Sequence, residues 1–377
     1  MSLGPYSPGV QPHQGSPAPT SYPRIDINLT GVLRNFQVVS DLVAGHGSRL
    51  TVVTKGLTGY APLVEALVEA GADSIGEAHL QTLQQYAGLP AEKWMIRPPL
   101  ISQAAAVVRF ADVSLNSELA TIKALGRAAV AQGRVHRVVM MVDLGDTREG
   151  VRPEDLLAAC QQANRIDGVE LLGVGTEFGC LSDVVPSQPA FQELVSLVTE
   201  ISSGLGRTVL VSGGSSNVLD LLQAGLLPDA VNHLRIGETI LTGRVANFDT
   251  PLRGAVLDPF TLSAEIIEVK EKPSQPSGPR APGHLPVADG PNYPDLGIRR
   301  RALVAIGKQD VNIRHLTPHD PDVVVLDGSS DIFVADVTDC SQTYKPGDVL
   351  TFAMDYYAIL PAMISSFVEK RLIQESD

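Results

Sequence analysis

The sequence predicts an α/β chain built as a closed parallel (β/α)8 barrel of the TIM type, followed by a mainly β domain. Three observations carry this expectation. Short Val/Ile-rich runs alternate with amphipathic helical stretches between residues 50 and 236, and after Phe248 strands recur without long intervening helices. The length of 377 residues, 44% hydrophobic against 19% charged, suits about two domains with a sizeable core.

Taken in order, residues 1–23 are dominated by Gly, Pro, Ser and Gln and have no apolar period, which predicts a disordered tail. The strand candidates are Leu50–Thr54, Asp73–Gly76, Trp94–Arg97, Asp112–Leu115, Arg137–Val142, Leu171–Gly175, Thr208–Ser212 and Val231–Ile236. Helical patterns fall between them, as in Ala61–Ala70 (Leu63, Leu67 and Val68 on one face), Glu118–Ala131, Pro153–Ile166 and Phe191–Ser203. Continuous rather than alternating apolar strands are buried on both faces, as in a closed barrel over residues 24–247. An open doubly wound sheet competes, but no GxGxxG follows the first strand. Residues 248–377 form the second domain, with strands at Thr261–Val269, Ala302–Ile306, Asp322–Leu326, Ile332–Val337 and Val349–Ala353. A Pro/Gly-rich loop over residues 272–294 interrupts it, and Ala358–Arg371 reads as one short helix.

Composition removes several classes of partner. With 29 Lys and Arg against 42 Asp and Glu, the net charge of −13 repels phosphate backbones, so nucleic acid is not expected. The cysteines Cys160, Cys180 and Cys340 have neither a disulfide pattern nor CxxC spacing, which suits a reducing cytoplasm and no metal site. No apolar run reaches the roughly 18 residues of a spanning helix, and the start lacks a basic then apolar leader, so neither membrane nor export is expected. His315 and His319 have HxxxH spacing, but Pro318 between them breaks the helix that would aim both at one metal.

Barrel enzymes collect reactive groups where strands end, so those positions are where chemistry is expected. Lys55 ends the first strand. There, desolvation would lower its pKa and free the amine for a Schiff base; the alternative is a solvated loop lysine. Asp143 and Arg148 follow the fifth strand, Thr176 and Glu177 the sixth, and Arg235 and Gly237 the eighth. After the seventh, Ser212-Gly213-Gly214-Ser215-Ser216-Asn217 leads into the helix Val218–Ala224. This run is either an anion cradle or an ordinary turn capped by Ser216 or Asn217. Its place after the seventh strand favours the cradle, because barrels hold phosphates with the loops after strands seven and eight. An imine-forming lysine, a phosphate cradle and an eighth-strand arginine together suggest pyridoxal 5′-phosphate (PLP).

At this point the chain resembles the alanine racemase-like, fold-type III family of PLP enzymes, and within it the ornithine-racemase-like amino-acid racemases. The segments carrying the resemblance are Val52–Lys55, Asp143–Gly150, Gly173–Cys180, Ser212–Ser216 and Leu234–Glu238, with Ala305–Asp310 and Ser329–Asp331 in the second domain. The resemblance implies that Lys55 holds the cofactor covalently and acts as one acid/base, and that Arg235 faces the pyridine nitrogen. It also implies that Ser215, Ser216, Ile236 and Gly237 surround the phosphate, that Glu177 replaces a ring-side histidine, and that Arg148 borders the substrate carboxylate. A homodimer is implied, each second domain completing its partner's site.

Two departures from the alanine racemase pattern bear on mechanism. The tyrosine expected four residues after the lysine is Gly59, with Tyr60 adjacent, and the second-base tyrosine falls on Lys308. Racemisation needs a proton donor on the opposite face of Cα. That donor stays open among Lys308, Asp310, Ser330, Asp331 and Cys340, with Lys308 and Asp331 taken beside Lys55 as the catalytic set. Glu177 or Glu149 is expected to favour a cationic side chain such as ornithine or lysine. The competing functions are a decarboxylase or aldolase of the same fold and a non-catalytic PLP-binding homeostasis protein. The missing Gly-Pro-x-Cys run weighs against the decarboxylase, and the long second domain against the homeostasis protein.

Overall fold

A computed structural model describes residues 22–279 and 294–374 of the chain. The expected N-terminal tail and most of the expected Pro/Gly-rich loop lie outside the described residues.

The barrel alternates β2 (Arg49–Val53), α2 (Ala61–Glu69), β3 (Ser74–Glu77), α3 (Leu80–Gln85), β4 (Glu92–Met95), α4 (Ala104–Phe110), β5 (Val113–Asn116), α5 (Leu119–Ala131), β6 (His136–Met141), α6 (Leu156–Ala163), β7 (Val169–Thr176), α7 (Gln188–Leu205), β8 (Leu210–Gly213), α8 (Leu219–Gln223) and β9 (His233–Ile236), ending with α9 (Glu238–Thr242). Strands β2 to β9 are neighbours in sequence order and close on themselves, so each of the eight expected strands takes its expected place. Closure comes from parallel pairing of β2 with β9, in the register Thr51↔Arg235 and Val52↔Ile236. That register brings the ends of the first and last barrel strands together. Trp94, Val113, Leu115, Val139 and Met141 fill part of the interior, while a larger apolar cluster joins barrel and helices. Trp94 is fully buried and stacks on His233 at 4.3 Å.

The chain enters through the other domain. Strand β1 (Arg24–Asn28) pairs antiparallel with β12 (Phe260–Pro273) and parallel with β18 (Glu369–Ile373), so the segment from residue 24 gives a strand to the second sheet before the barrel begins. Helix α1 (Leu29–Gly45) follows, capped by Asn28, whose side chain accepts from Gly31 N–H. After α9 come β10 (Arg244–Val245) and β11 (Thr250–Pro251), a small separate pair. The second sheet is completed by β13 (Ile298–Val304), β14 (Leu316–Pro318), β15 (Val324–Gly328), β16 (Phe333–Asp336) and β17 (Val349–Met354).

The expected C-terminal helix is only half right. Helix α10 spans Tyr356–Ile364, its N-cap Asp355 accepting from Tyr357 and Ala358 N–H, and the chain then turns into β18. Pairing with β1, more than 300 residues earlier, overrides the local helical pattern.

Candidate active site

Short barrel strands force their C-terminal residues to one rim, and a cavity of about 500 Å³ opens there. Its wall includes Lys55, Arg148, Glu177, Ser215, Ser216, Arg235 and Gly237. The structure thus brings together all the barrel residues expected at the site except Ile236, whose side chain is fully buried in the core. Lys55 is half-buried and opens a single 3-10 turn, Lys55–Leu57, directly after β2.

Arg235 is held on three sides. Its side chain is 2% exposed; Nη2 donates to Thr176 O at 2.8 Å and to Glu177 Oε2 at 3.1 Å, and Nη1 donates to Ser212 Oγ. Behind Ser212 a buried polar chain crosses the barrel. His233 Nδ1 is 2.8 Å from Ser212 Oγ, His233 Nε2 is 2.8 Å from Thr51 Oγ1, and Thr51 Oγ1 is 2.7 Å from Ser74 Oγ. Burial, with Arg235 and Arg49 nearby, holds His233 well below the usual imidazole range, so its ring stays neutral. A neutral ring with both nitrogens engaged fixes Arg235 from beneath without adding charge. Arg235 Nε has no hydrogen-bond partner among the described residues, and Arg235 is part of the cavity wall.

The expected cradle forms across two strand ends. The buried Ser216 Oγ accepts from Gly237 N–H at 3.3 Å and Thr239 N–H at 3.2 Å, tying the loop after β8 to the start of α9. A Cβ on Gly237 would meet Val53 O at 2.6 Å, so only glycine allows this close approach of strand ends. Thr239 Oγ1 is buried with no hydrogen-bond partner among the described residues. Backbone N–H groups, hydroxyls, an orphaned buried hydroxyl, an amine and a guanidinium donor suit an aldehyde that carries a phosphate and a ring nitrogen. The residues therefore fit PLP.

The second-domain candidates lie elsewhere. Lys308 N–H donates to Ser329 O and Gln309 N–H to Ser330 O, both at 2.9 Å, so the two family-like segments form one exposed tip. On it Lys308 pairs with Asp327 at 2.7 Å, and Asp331 accepts from Ser329 and Ser330. Neither lines this chain's own cavity. Asp310 is buried and accepts from Ser365 Oγ at 2.7 Å, a structural bond. Burial pushes the Cys340 thiol up to about 11. His315 and His319 are also occupied structurally, by Asp355 at 2.6 Å and Thr351 at 3.1 Å.

Sequence reasoning missed several cavity residues. Tyr356 and Tyr357 arrive from α10, Arg97 from the loop just after β4, and Glu238 from the start of α9. Arg97 and Glu238 were legible as strand-end neighbours; the tyrosines, remote in sequence, were not. Outside the cavity wall, Glu77, the last residue of β3, is 1% exposed and accepts from Oγ1 of Thr54, the residue before Lys55, at 2.6 Å. Burial pushes its carboxyl up to about 7, against the opposing effects of Thr54 and Lys55.

Comparison with known proteins follows the same lines. The ornithine racemase of Acetoanaerobium sticklandii is 35% identical over 93% of this chain and 100% of its own length. The lysine racemase of Thermotoga maritima is 35% identical over 93% of this chain and 98% of its own length. An alanine racemase from Bartonella henselae, solved with covalently bound pyridoxal phosphate, shares the fold at a TM-score of 0.72 and 14% identity, covering 94% of this chain and 100% of that one. The family model described as alanine racemase, N-terminal domain, matches residues 27–244, more than half of the sequence. The chain belongs to that alanine racemase family.

Proposed function

We propose that the protein is a PLP-dependent amino-acid racemase that acts on a basic amino acid, ornithine or lysine, as a homodimer. The observation that carries this reading is one cavity joining the Lys55 amine, the Ser216–Gly237 cradle and the Arg235 guanidinium. The two curated relatives, named ornithine and lysine racemase, support the substrate class.

When bound, PLP supplies an electron sink that acidifies the Cα–H of an amino acid. Lys55 would hold the cofactor and serve as the base on one face of Cα. Ser215, Ser216 and the Gly237 N–H would take its phosphate, and Arg235 would stand at the ring nitrogen, where a permanent cation disfavours ring protonation and restrains side reactions. Glu177, 3.1 Å from Arg235, fixes that guanidinium in place. Arg148 would meet the substrate carboxylate, although Glu149 already shares its charge.

Inversion requires a second acid on the opposite face. Lys308 and Asp331 sit together on an exposed tip outside the chain's own cavity, which supports their serving the cavity of a second copy. The test is incubation of the PLP-loaded protein with L-ornithine and L-lysine in heavy water, followed by chiral chromatography and mass spectrometry. The D-enantiomer should appear with deuterium at Cα, and Lys55→Ala should form none. Release of CO₂ without inversion, or no exchange at all, would overturn the reading.

A further inference from the structure

The two carboxylates expected to attract a cationic side chain are already neutralised inside the protein. Glu177 lies 3.1 Å from the buried Arg235, and Glu149 Oε1 accepts from Arg148 Nη2 at 2.6 Å. An ammonium approaching either would share the carboxylate with a guanidinium already held by charge-assisted hydrogen bonds. The cavity wall carries a third carboxylate, Glu238, whose side chain has no hydrogen bond and no ion pair among the described residues.

The surroundings of Glu238 make that vacancy a cation site by charge. Lys55 is the cation that acts on Glu238, and in the resting, cofactor-loaded protein its amine is taken up by the cofactor. Other groups that act on Glu238 add negative charge: Asp355, the N-cap of α10, and Asp249, before β11. Tyr356 and Tyr357 line the same part of the wall and feel Glu238 in turn, and aromatic faces favour an ammonium over an alkyl end. A neutral amino acid would leave the carboxylate half-buried and unmatched, whereas a diamino acid brings the missing partner.

We infer that Glu238 is a specificity-determining residue that accepts the terminal ammonium of a diamino acid whose α-amino group occupies the Lys55 end of the same cavity. This rests on the racemase reading above. It replaces the expectation that Glu177 or Glu149 does so.

The test compares wild type and Glu238→Gln, both loaded with PLP, on L-ornithine and on L-norvaline, which has the same carbon chain without the terminal amine. Dissociation constants come from the change in visible absorption on titration, and KM and kcat from formation of the D-enantiomer. The variant should weaken ornithine binding and raise its KM about 10- to 100-fold, the effect of losing one charge-assisted hydrogen bond, with kcat changed less than threefold and norvaline unaffected. Glu238→Asp, a milder change that withdraws the carboxylate by one methylene, should move the preference from ornithine towards lysine. Undiminished preference for ornithine over norvaline in an active Gln variant would overturn the inference, as would an equal loss of kcat on both substrates. Failure of wild type to racemise any amino acid would instead overturn the racemase reading, so the two failures are separable.

Discussion

Replacing Glu77 by Gln should alter the pH dependence of stability in one direction. The carboxyl is 1% exposed, and burial raises it from 4.5 to about 7. A raised value means that the fold prefers the protonated form, so the stability it contributes is full below pH 4.5 and is lost as pH rises through about 7. At about 1.4 kcal/mol per tenfold change in proton affinity, that loss amounts to roughly 3 kcal/mol. Gln carries no charge at any pH and still offers Thr54 an acceptor in place of Oε1. The variant should therefore match wild type near pH 4.5 and exceed it by roughly 3 kcal/mol at pH 8, or about 6 °C in melting temperature. Parallel melts followed by circular dichroism at pH 5, 6, 7 and 8 measure the difference. His136, held down to about 4 by burial, and Glu238, raised to about 7, are common to both proteins and cancel. A difference that stays constant with pH would refute the reasoning.

Three other outcomes are expected. Glu177→Gln leaves Arg235 buried without its counter-charge and should lower stability by about 3 kcal/mol in thermal melts, while replacing both residues with apolar side chains should recover most of it. Gly237→Ala forces a Cβ to within 2.6 Å of Val53 O and should weaken PLP binding to the apoprotein at least tenfold by equilibrium dialysis; unchanged affinity would remove Gly237 from the cradle. The ratio of norvaline KM to ornithine KM should grow as pH rises through about 7, as the Glu238 carboxyl loses its proton, and a flat ratio would speak against its role.

What was legible in the sequence follows from which forces are local. Barrel strands buried on both faces announce themselves as continuous apolar runs such as Val138-Val139-Met140-Met141-Val142, and the barrel then assigns Lys55, Glu177, Ser216 and Arg235 to one rim without further information. Strand β1 was missed because Arg24-Ile25-Asp26-Ile27 gains its identity only by pairing with Leu262 and Lys370, far along the chain. The same long-range pairing hid β18 inside an expected helix. The partners of the carboxylates were hidden for a related reason. Sequence order shows that Glu149 and Glu177 are near the site, but not that Arg148 and Arg235 already satisfy them. Glu77 stands at a strand end just as Lys55 does, so the rule that found the lysine could have found the carboxylate bonded to its neighbour Thr54.

The central claim is that a single amine at the barrel rim carries the cofactor, and it is tested most directly by chemical trapping. The PLP-loaded protein is reduced with borohydride, digested, and its peptides are mapped by mass spectrometry. The account predicts one stable pyridoxyl adduct, on the peptide that contains Lys55 and absent from Lys55→Ala. An adduct on another lysine, or none while the protein is active, would contradict it.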